Sequence, residues 1–270
     1  MTTLLVDLGG TRLKSGLLPE TGHRPVEVCG TDHRGKWLDA LRRVVAQHRP
    51  DELALCVPGV VADGVVTALP GKLDGLVGVD LGALLDVPVR LLVNDAIAYG
   101  VGEVVCGAGR GASRVVVVTL GTGVGVAVVE DGVPLGRGPL GGGLLGGQLV
   151  LGDGGTLEDQ ACAAALEACT GTDLPDAYDR LLRGDPEMAE RFAAYRVGLV
   201  RGLTALCLAH APDAVVVGGG AAQPGLLIGV EEAVRAGLWP GQSVVVHLAE
   251  GDSGSALAGL GVLLRARVPA

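Results

Sequence analysis

VNDAIAYGVGEVVCGAGRGASRVVVVTLGTGVGVAVVEDG, residues 93–132, decides the fold. Its second half reads as strand, turn, strand: SRVVVVTL (113–120), a GTGVG turn (121–125) and VAVVEDG (126–132). Valine-rich runs suit strands buried on a sheet, and the glycines between them supply the reversal. Its first half closes a strand, VPVRLLVND (87–95), and opens a helix, AIAYGVGEVVCGAG (96–109), that Asn94 or Asp95 would cap. Strand, helix and hairpin in that order predict an α/β protein with sheets that are partly antiparallel.

The rest of the chain extends this pattern. TLLVDLGG (3–10) and RLKSGLL (12–18) form a second hairpin, with PVEVCGT (25–31) as a third strand of the meander. WLDALRRVVAQHRP (37–50) has helical spacing and stops at Pro50, and DELALCVPG (51–59) is a buried strand ending in a Pro-Gly loop. The Gly-rich run 136–155 predicts a long loop with some strand. Helices are expected over 156–171, 186–212, 221–237 and 253–268, and strands over 213–220 and 243–250. Two blocks result, 1–112 and 113–252, each opening on a strand-turn-strand unit. They are expected to be a smaller and a larger α/β domain, with the last helix (253–270) packing back on the first.

Composition bounds the function. With 49% hydrophobic and 19% charged residues, the chain is too apolar for disorder. A net charge of −9 and six scattered aromatic residues argue against a nucleic-acid surface. The most apolar run, 115–129, is too short and too interrupted to span a bilayer. MTTLLVDLGG (1–10) has no basic start and no long apolar segment, so no signal peptide is expected there and a cytoplasmic location is. The six cysteines form no Cys-x-x-Cys pair, and the five histidines do not stand at metal-ligand spacing with them. Reduced thiols and no zinc site are expected.

Four short motifs carry chemistry. In DLGGTRLK (7–14), Asp7 closes a strand, Gly9 and Gly10 turn the backbone, Thr11 adds a hydroxyl and Lys14 a cation. Such a turn can cradle phosphate, although an ordinary Gly-Gly hairpin with an exposed Lys14 fits the same residues. In LGTGVG (120–125), Gly121, Thr122 and Gly123 are followed by a strand instead of the helix that a dinucleotide fingerprint requires. Gly218, Gly219 and Gly220 end the strand VVVGGG ahead of the expected helix. Asp95 lies just past a strand, where α/β folds place ligands, and suits either a general base or a helix cap.

Taken in order, DxGGTxxK, the Pro58-Gly59 loop, Asn94-Asp95, GTGxG and the triple-glycine strand end resemble the ROK family (repressor, open reading frame, kinase) of sugar kinases. The resemblance implies a two-domain actin-like, ribonuclease H-like ATPase fold with a cleft between the domains. It implies ATP and Mg²⁺ as cofactors, and Asp95 as general base toward a sugar or polyol hydroxyl. Asp7, Gly9, Gly10, Thr11 and Lys14 would form the first phosphate loop, with Asp7 acting indirectly on Mg²⁺. Gly121, Thr122 and Gly123 would form the second, and Gly218, Gly219 and Gly220 would approach the adenosine. Asn94, Gly59, Glu158 and Gln148 would contact the substrate.

Three departures qualify this. The family's Gly-Glu-x-Gly-His segment aligns with Leu144-Leu145-Gly146-Gly147-Gln148, so Leu145 replaces the glutamate and Gln148 the histidine. GDGGTLE (152–158) lacks the cysteines of the family's zinc loop. The sugar-contacting asparagine upstream of GVDL (78–81) falls on Lys72. The expectation is therefore an ATP-dependent carbohydrate kinase, a homodimer, whose acceptor is an amino sugar, cyclitol or other polyol. The alternative is a catalytically degenerate sugar- or nucleotide-binding sensor or partner protein.

Overall fold

The computed structural model describes residues 1–266 apart from 24, 26, 34, 70, 72, 137–144, 153, 252 and 253. In chain order its elements are β1 (Thr3–Leu8), β2 (Arg12–Leu17), β3 (Cys29–Asp32), α1 (Trp37–His48), β4 (Glu52–Val57), β5 (Val60–Ala62), β6 (Val65–Ala68), α2 (Leu81–Leu85), β7 (Val89–Asn94) and α3 (Asp95–Cys106). There follow β8 (Arg114–Leu120), β9 (Val124–Glu130), β10 (Val133–Pro134), a 3₁₀ turn (Gly146–Gln148), α4 (Leu157–Ala161), α5 (Ala163–Thr170), α6 (Leu174–Leu182), α7 (Pro186–His210), β11 (Ala214–Gly218), α8 (Val230–Ala236), β12 (Val245–Leu248) and α9 (Ser255–Arg265).

The chain forms two compact units. The first holds residues 1–107, 132–143 and 251–270, and the second 108–131 and 144–250. The sequence reading did not place residues 132–136 with the first unit. Each unit joins a hairpin to parallel strands. In the first, the strand order is β3-β2-β1-β4-β7, with β1, β4 and β7 parallel. In the second, β9, β8, β11 and β12 lie side by side, with β8, β11 and β12 parallel. The parallel strands read as continuous apolar runs because both faces are covered; all six residues of β4 are buried. Trp37, Leu41, Leu4, Leu55 and Leu76 belong to the core of the first unit.

Helix α9 packs on α3 with almost no side chain between them. A Cβ on Gly102 would collide with the Ser255 carbonyl, and one on Gly259 with the Ala98 carbonyl. Beside this contact lies Glu103, fully buried. Its Oε1 accepts hydrogen bonds from Ser255 Oγ at 2.6 Å and from the Gly251 N–H at 3.0 Å. A buried carboxylate is tolerated only when such donors meet it.

By length and composition, α7 is apolar enough to cross a membrane. It is the helix around which the second unit is built: Phe192, Leu199 and Leu203 are fully buried, and α4, α5, α6 and α8 pack against it.

Several local readings are corrected. The helix expected over 156–171 breaks at Cys162, which is extended (ψ 170°), because the Ala163 N–H turns to the Gly121 carbonyl at 2.8 Å. The helix expected from 221 begins at Val230. Of the run 136–155, residues 137–144 and 153 lie outside the described residues, as does Lys72. The remainder is loop with an isolated bridge from Val150 to Thr156 and the short 3₁₀ turn at Gly146–Gln148, pressed so closely on β9 that a Cβ on Gly147 would strike the Val124 carbonyl. Helices α2 and α6 and the β5–β6 hairpin went unread.

Candidate functional site

In the first unit the candidate residues gather at the carboxyl ends of β1, β4 and β7. Asp7 stands opposite Lys14 across the β1–β2 pair and level with Cys56 on β4. Directly opposed strand residues bring their side chains within reach, and Lys14 Nζ lies 3.3 Å from Asp7 Oδ2. Cys56 Sγ donates to Asp7 Oδ1 at 3.6 Å. Burial pushes the Asp7 carboxyl above its ordinary range, and Lys14 and Cys56 oppose that shift. Burial, with the charges of Asp7 and Asp95, pushes the Cys56 thiol well up, so it stays a donor.

Asn94 ends β7 and caps α3. Its Oδ1 accepts from Ala96 N at 2.9 Å and Ile97 N at 3.3 Å, and its Nδ2 donates to the Gly59 carbonyl at 2.9 Å. Gly59 has φ 94°, and a Cβ there would meet the Ala68 carbonyl, so only glycine at 59 presents its own carbonyl to Asn94. The cap leaves Asp95 as the first residue of α3, partly exposed, with Oδ1 2.8 Å from the Ala96 N–H.

Gly9 and Gly10 turn between β1 and β2, and Gly9 N–H donates to the Arg12 carbonyl at 2.9 Å. Thr11 is exposed. Against this turn lies a residue that the sequence reading missed. His33, almost wholly buried, has Nε2 2.9 Å from the Gly9 carbonyl, and its Nδ1 accepts the Gly35 N–H at 3.2 Å. Nothing local announces this contact, which spans 24 residues of sequence.

In the second unit, two glycine turns lie together at the ends of β8 and β11. Gly218 pairs with Thr119, and the Ala221 N–H donates to the Leu120 carbonyl at 3.0 Å. Gly219 has φ 90°, and a Cβ there would strike Leu120, so the triple glycine lets the turns touch backbone to backbone. The first turn closes with Gly121 N–H on the Gly123 carbonyl at 2.9 Å, leaving Thr122 exposed. Gly220 follows without crowding. Tyr178 donates to the Ala221 carbonyl at 2.5 Å and steadies the second turn.

Glu158, in the first turn of α4, reaches the start of β9: its Oε2 accepts the Val124 N–H at 2.8 Å, and Gln148 Nε2 lies 3.4 Å from Oε1. Leu145 points largely to solvent, while Leu144 lies outside the described residues. Among the described residues no group of three or more His, Cys, Asp or Glu gathers where it could hold a metal ion.

The closed packing at Asp7 has a measurable consequence. Iodoacetamide should modify Cys29, which is exposed, and spare Cys56 and Cys207, whose thiols burial pushes up, that of Cys207 to about 11. Mass spectrometry of the native protein, with a denatured control, reads this. Labelling of Cys56 at the rate of Cys29 would show that the end of β4 is open.

The model of the ROK family matches residues 3–266. An N-acetylgalactosamine kinase of Shewanella sp. (strain ANA-3) is 31% identical over 246 residues, covering 78% of this chain and 77% of that protein. A glucokinase of Thermotoga maritima is 30% identical over 269 residues, covering 83% of each. Among solved structures, a ROK hexokinase from Thermus thermophilus superposes with a TM-score of 0.74 at 27% identity, covering 97% of each chain.

Proposed function

The chain belongs to the ROK family, and on that premise we propose that it is an ATP-dependent kinase that phosphorylates a hydroxyl of a sugar or sugar-like polyol. The observation that carries the reading is the pair of carboxylates, Asp7 and Asp95, at the carboxyl ends of the parallel strands β1 and β7 on either side of Cys56. One is tied to a cation beside a glycine turn, and the other stands at a helix start with its neighbour doing the capping.

In this reading Asp95 accepts the proton of the attacking hydroxyl, a contribution of about 10²–10⁴ in rate. The turns at Gly9–Thr11 and Gly121–Gly123 hold phosphate oxygens through N–H groups, with Lys14 and Thr122 adding side-chain donors, and Gly218, Gly219 and Gly220 admit the adenosine. The desolvated carboxylate of Asp7 is a hard oxygen donor of the kind that holds Mg²⁺ through water. When bound, Mg²⁺ supplies positive charge against the phosphates. Asn94 and Gly59 shape the substrate wall, and Glu158 and Gln148 take substrate hydroxyls.

Glucose is expected to be a poor acceptor. Leu145 offers no hydrogen bond, and Gln148 already leans on Glu158. Each unmade net hydrogen bond costs about 0.5–1.5 kcal/mol, so two weaken binding by roughly an order of magnitude or more. ADP release measured over a panel of hexoses, N-acetyl amino sugars and cyclitols, with polyphosphate as an alternative donor, tests both claims. No acceptor-dependent turnover on any of them would sink the kinase reading in favour of a binding protein. Glucose as the best substrate by kcat/KM would sink the reading of residues 144–148.

The same proposal makes the protein a cytoplasmic homodimer that engages neither nucleic acid nor membrane. The outer face of α7, where Val197 and Leu208 are half exposed, supports the dimer. Light scattering that gives a monomer at micromolar concentration would remove it.

A further inference from the structure

We propose that His33 is a positioning residue that sets the donors of the Gly9–Thr11 turn; the inference rests on the reading of that turn as a phosphate site. A carbonyl oxygen can only accept, so the contact to Gly9 requires the hydrogen on Nε2 of His33. The N–H of Gly35 can only donate, so Nδ1 carries the lone pair. The two partners thus fix one neutral tautomer. The same residue's N–H donates to the Thr11 carbonyl at 3.1 Å, and the Lys36 N–H returns to the His33 carbonyl at 2.7 Å. One buried residue therefore fastens two carbonyls of the turn, those of Gly9 and Thr11, to the segment that follows β3.

The consequence follows from peptide geometry. The C=O of Gly9 and the N–H of Gly10 belong to one planar trans unit and point in opposite directions. Drawing the Gly9 oxygen to His33 aims the Gly10 N–H away from it. With the Gly9 N–H spent on the Arg12 carbonyl, the direction of the turn's next donor is set by the imidazole. A glycine pair has wide conformational freedom, so without that anchor the donor would sample many directions and bind an anion less well.

Two substitutions separate positioning from packing. In His33→Gln the amide nitrogen lies where Nε2 lay and still reaches Gly9. In His33→Asn the side-chain oxygen lies where Nδ1 lay and still accepts from Gly35, but nothing reaches Gly9. Calorimetric titration with ADP and Mg²⁺ should give an affinity within about threefold of wild type for His33→Gln. For His33→Asn it should fall about tenfold or more, with the KM for the sugar unmoved. Equal losses in both variants, or no loss in a folded His33→Asn, would overturn the inference. Should His33→Asn fail to fold, nitrogen-15 spectroscopy of the wild-type ring decides: hydrogen on Nε2 supports the inference, and hydrogen on Nδ1 overturns it. Wild-type protein that binds no nucleotide would instead remove the reading of the turn itself.

Discussion

Asp95→Asn leaves a folded protein that binds nucleotide and turns over its acceptor at least about 100-fold more slowly, since the amide has no basic oxygen to take a proton. The substitution is nearly isosteric, and the structure separates it from the fold. The cap of α3 is made by Asn94, not Asp95. The contact of Asp95 with the Ala96 N–H survives through the amide oxygen. What is lost besides the base is a negative charge in the first turn of a helix, roughly 0.3–1 kcal/mol. Asn94→Ala makes the contrast: it strips the cap and the bond to Gly59, and should cost about 1–2 kcal/mol of stability. Neighbouring residues thus give opposite phenotypes, one in kcat and one in melting temperature. Steady-state kinetics beside thermal denaturation reads both. A folded Asp95→Asn protein that keeps most of its kcat would remove Asp95 as base.

What the sequence made legible is what local rules control. The β8–β9 and β1–β2 hairpins follow from apolar runs around glycines, and once β1 and β2 pair, Asp7 and Lys14 must face each other. The helix start at Asn94-Asp95 follows from capping preference. What escaped depends on distant partners. The break at Cys162 has no Pro or Gly to announce it; a carbonyl of another turn, Gly121, takes the N–H that the helix would have used. Over 221–229 a local signal was present and passed over: Pro224-Gly225 and Gly229 break the helix, with φ 97° at Gly225 and 72° at Gly229, and Tyr178 on the Ala221 carbonyl and Arg196 on the carbonyls of Gly225 and Leu226 then hold the non-helical path. Helix α6 was readable, since Asp173 caps it and a proline follows in its first turn. Cys56 and His33 became part of the candidate site only through strand register and a long-range hydrogen bond.

The glycines of α3 and α9 show the same limit most sharply. In sequence Gly102 and Gly259 weaken their helices by roughly 1 kcal/mol each relative to alanine. By propensity alone, Gly259→Ala should stabilise. The structure reverses the sign. A methyl on Gly259 would have to enter the Ala98 carbonyl, and the nearest atoms of Gly102 leave no room to turn aside. The obstacle is the backbone of α3, so no rotamer change relieves it, and the helices must separate. Separation would also stretch the bonds from Ser255 and the Gly251 N–H to the buried Glu103, leaving a carboxylate short of donors. Overpacking alone costs about 1–3 kcal/mol, and with the disturbed carboxylate the expected loss is about 3 kcal/mol or more. For a chain of this size that is roughly 6–12 °C in melting temperature. Gly30→Ala is the control: Gly30 lies on the exposed strand β3 with open space around it, and its change should stay within about 0.5 kcal/mol. Denaturant titration of both variants against wild type measures the difference. A Gly259→Ala protein as stable as the Gly30→Ala protein would mean that α9 does not lie against α3 in this way.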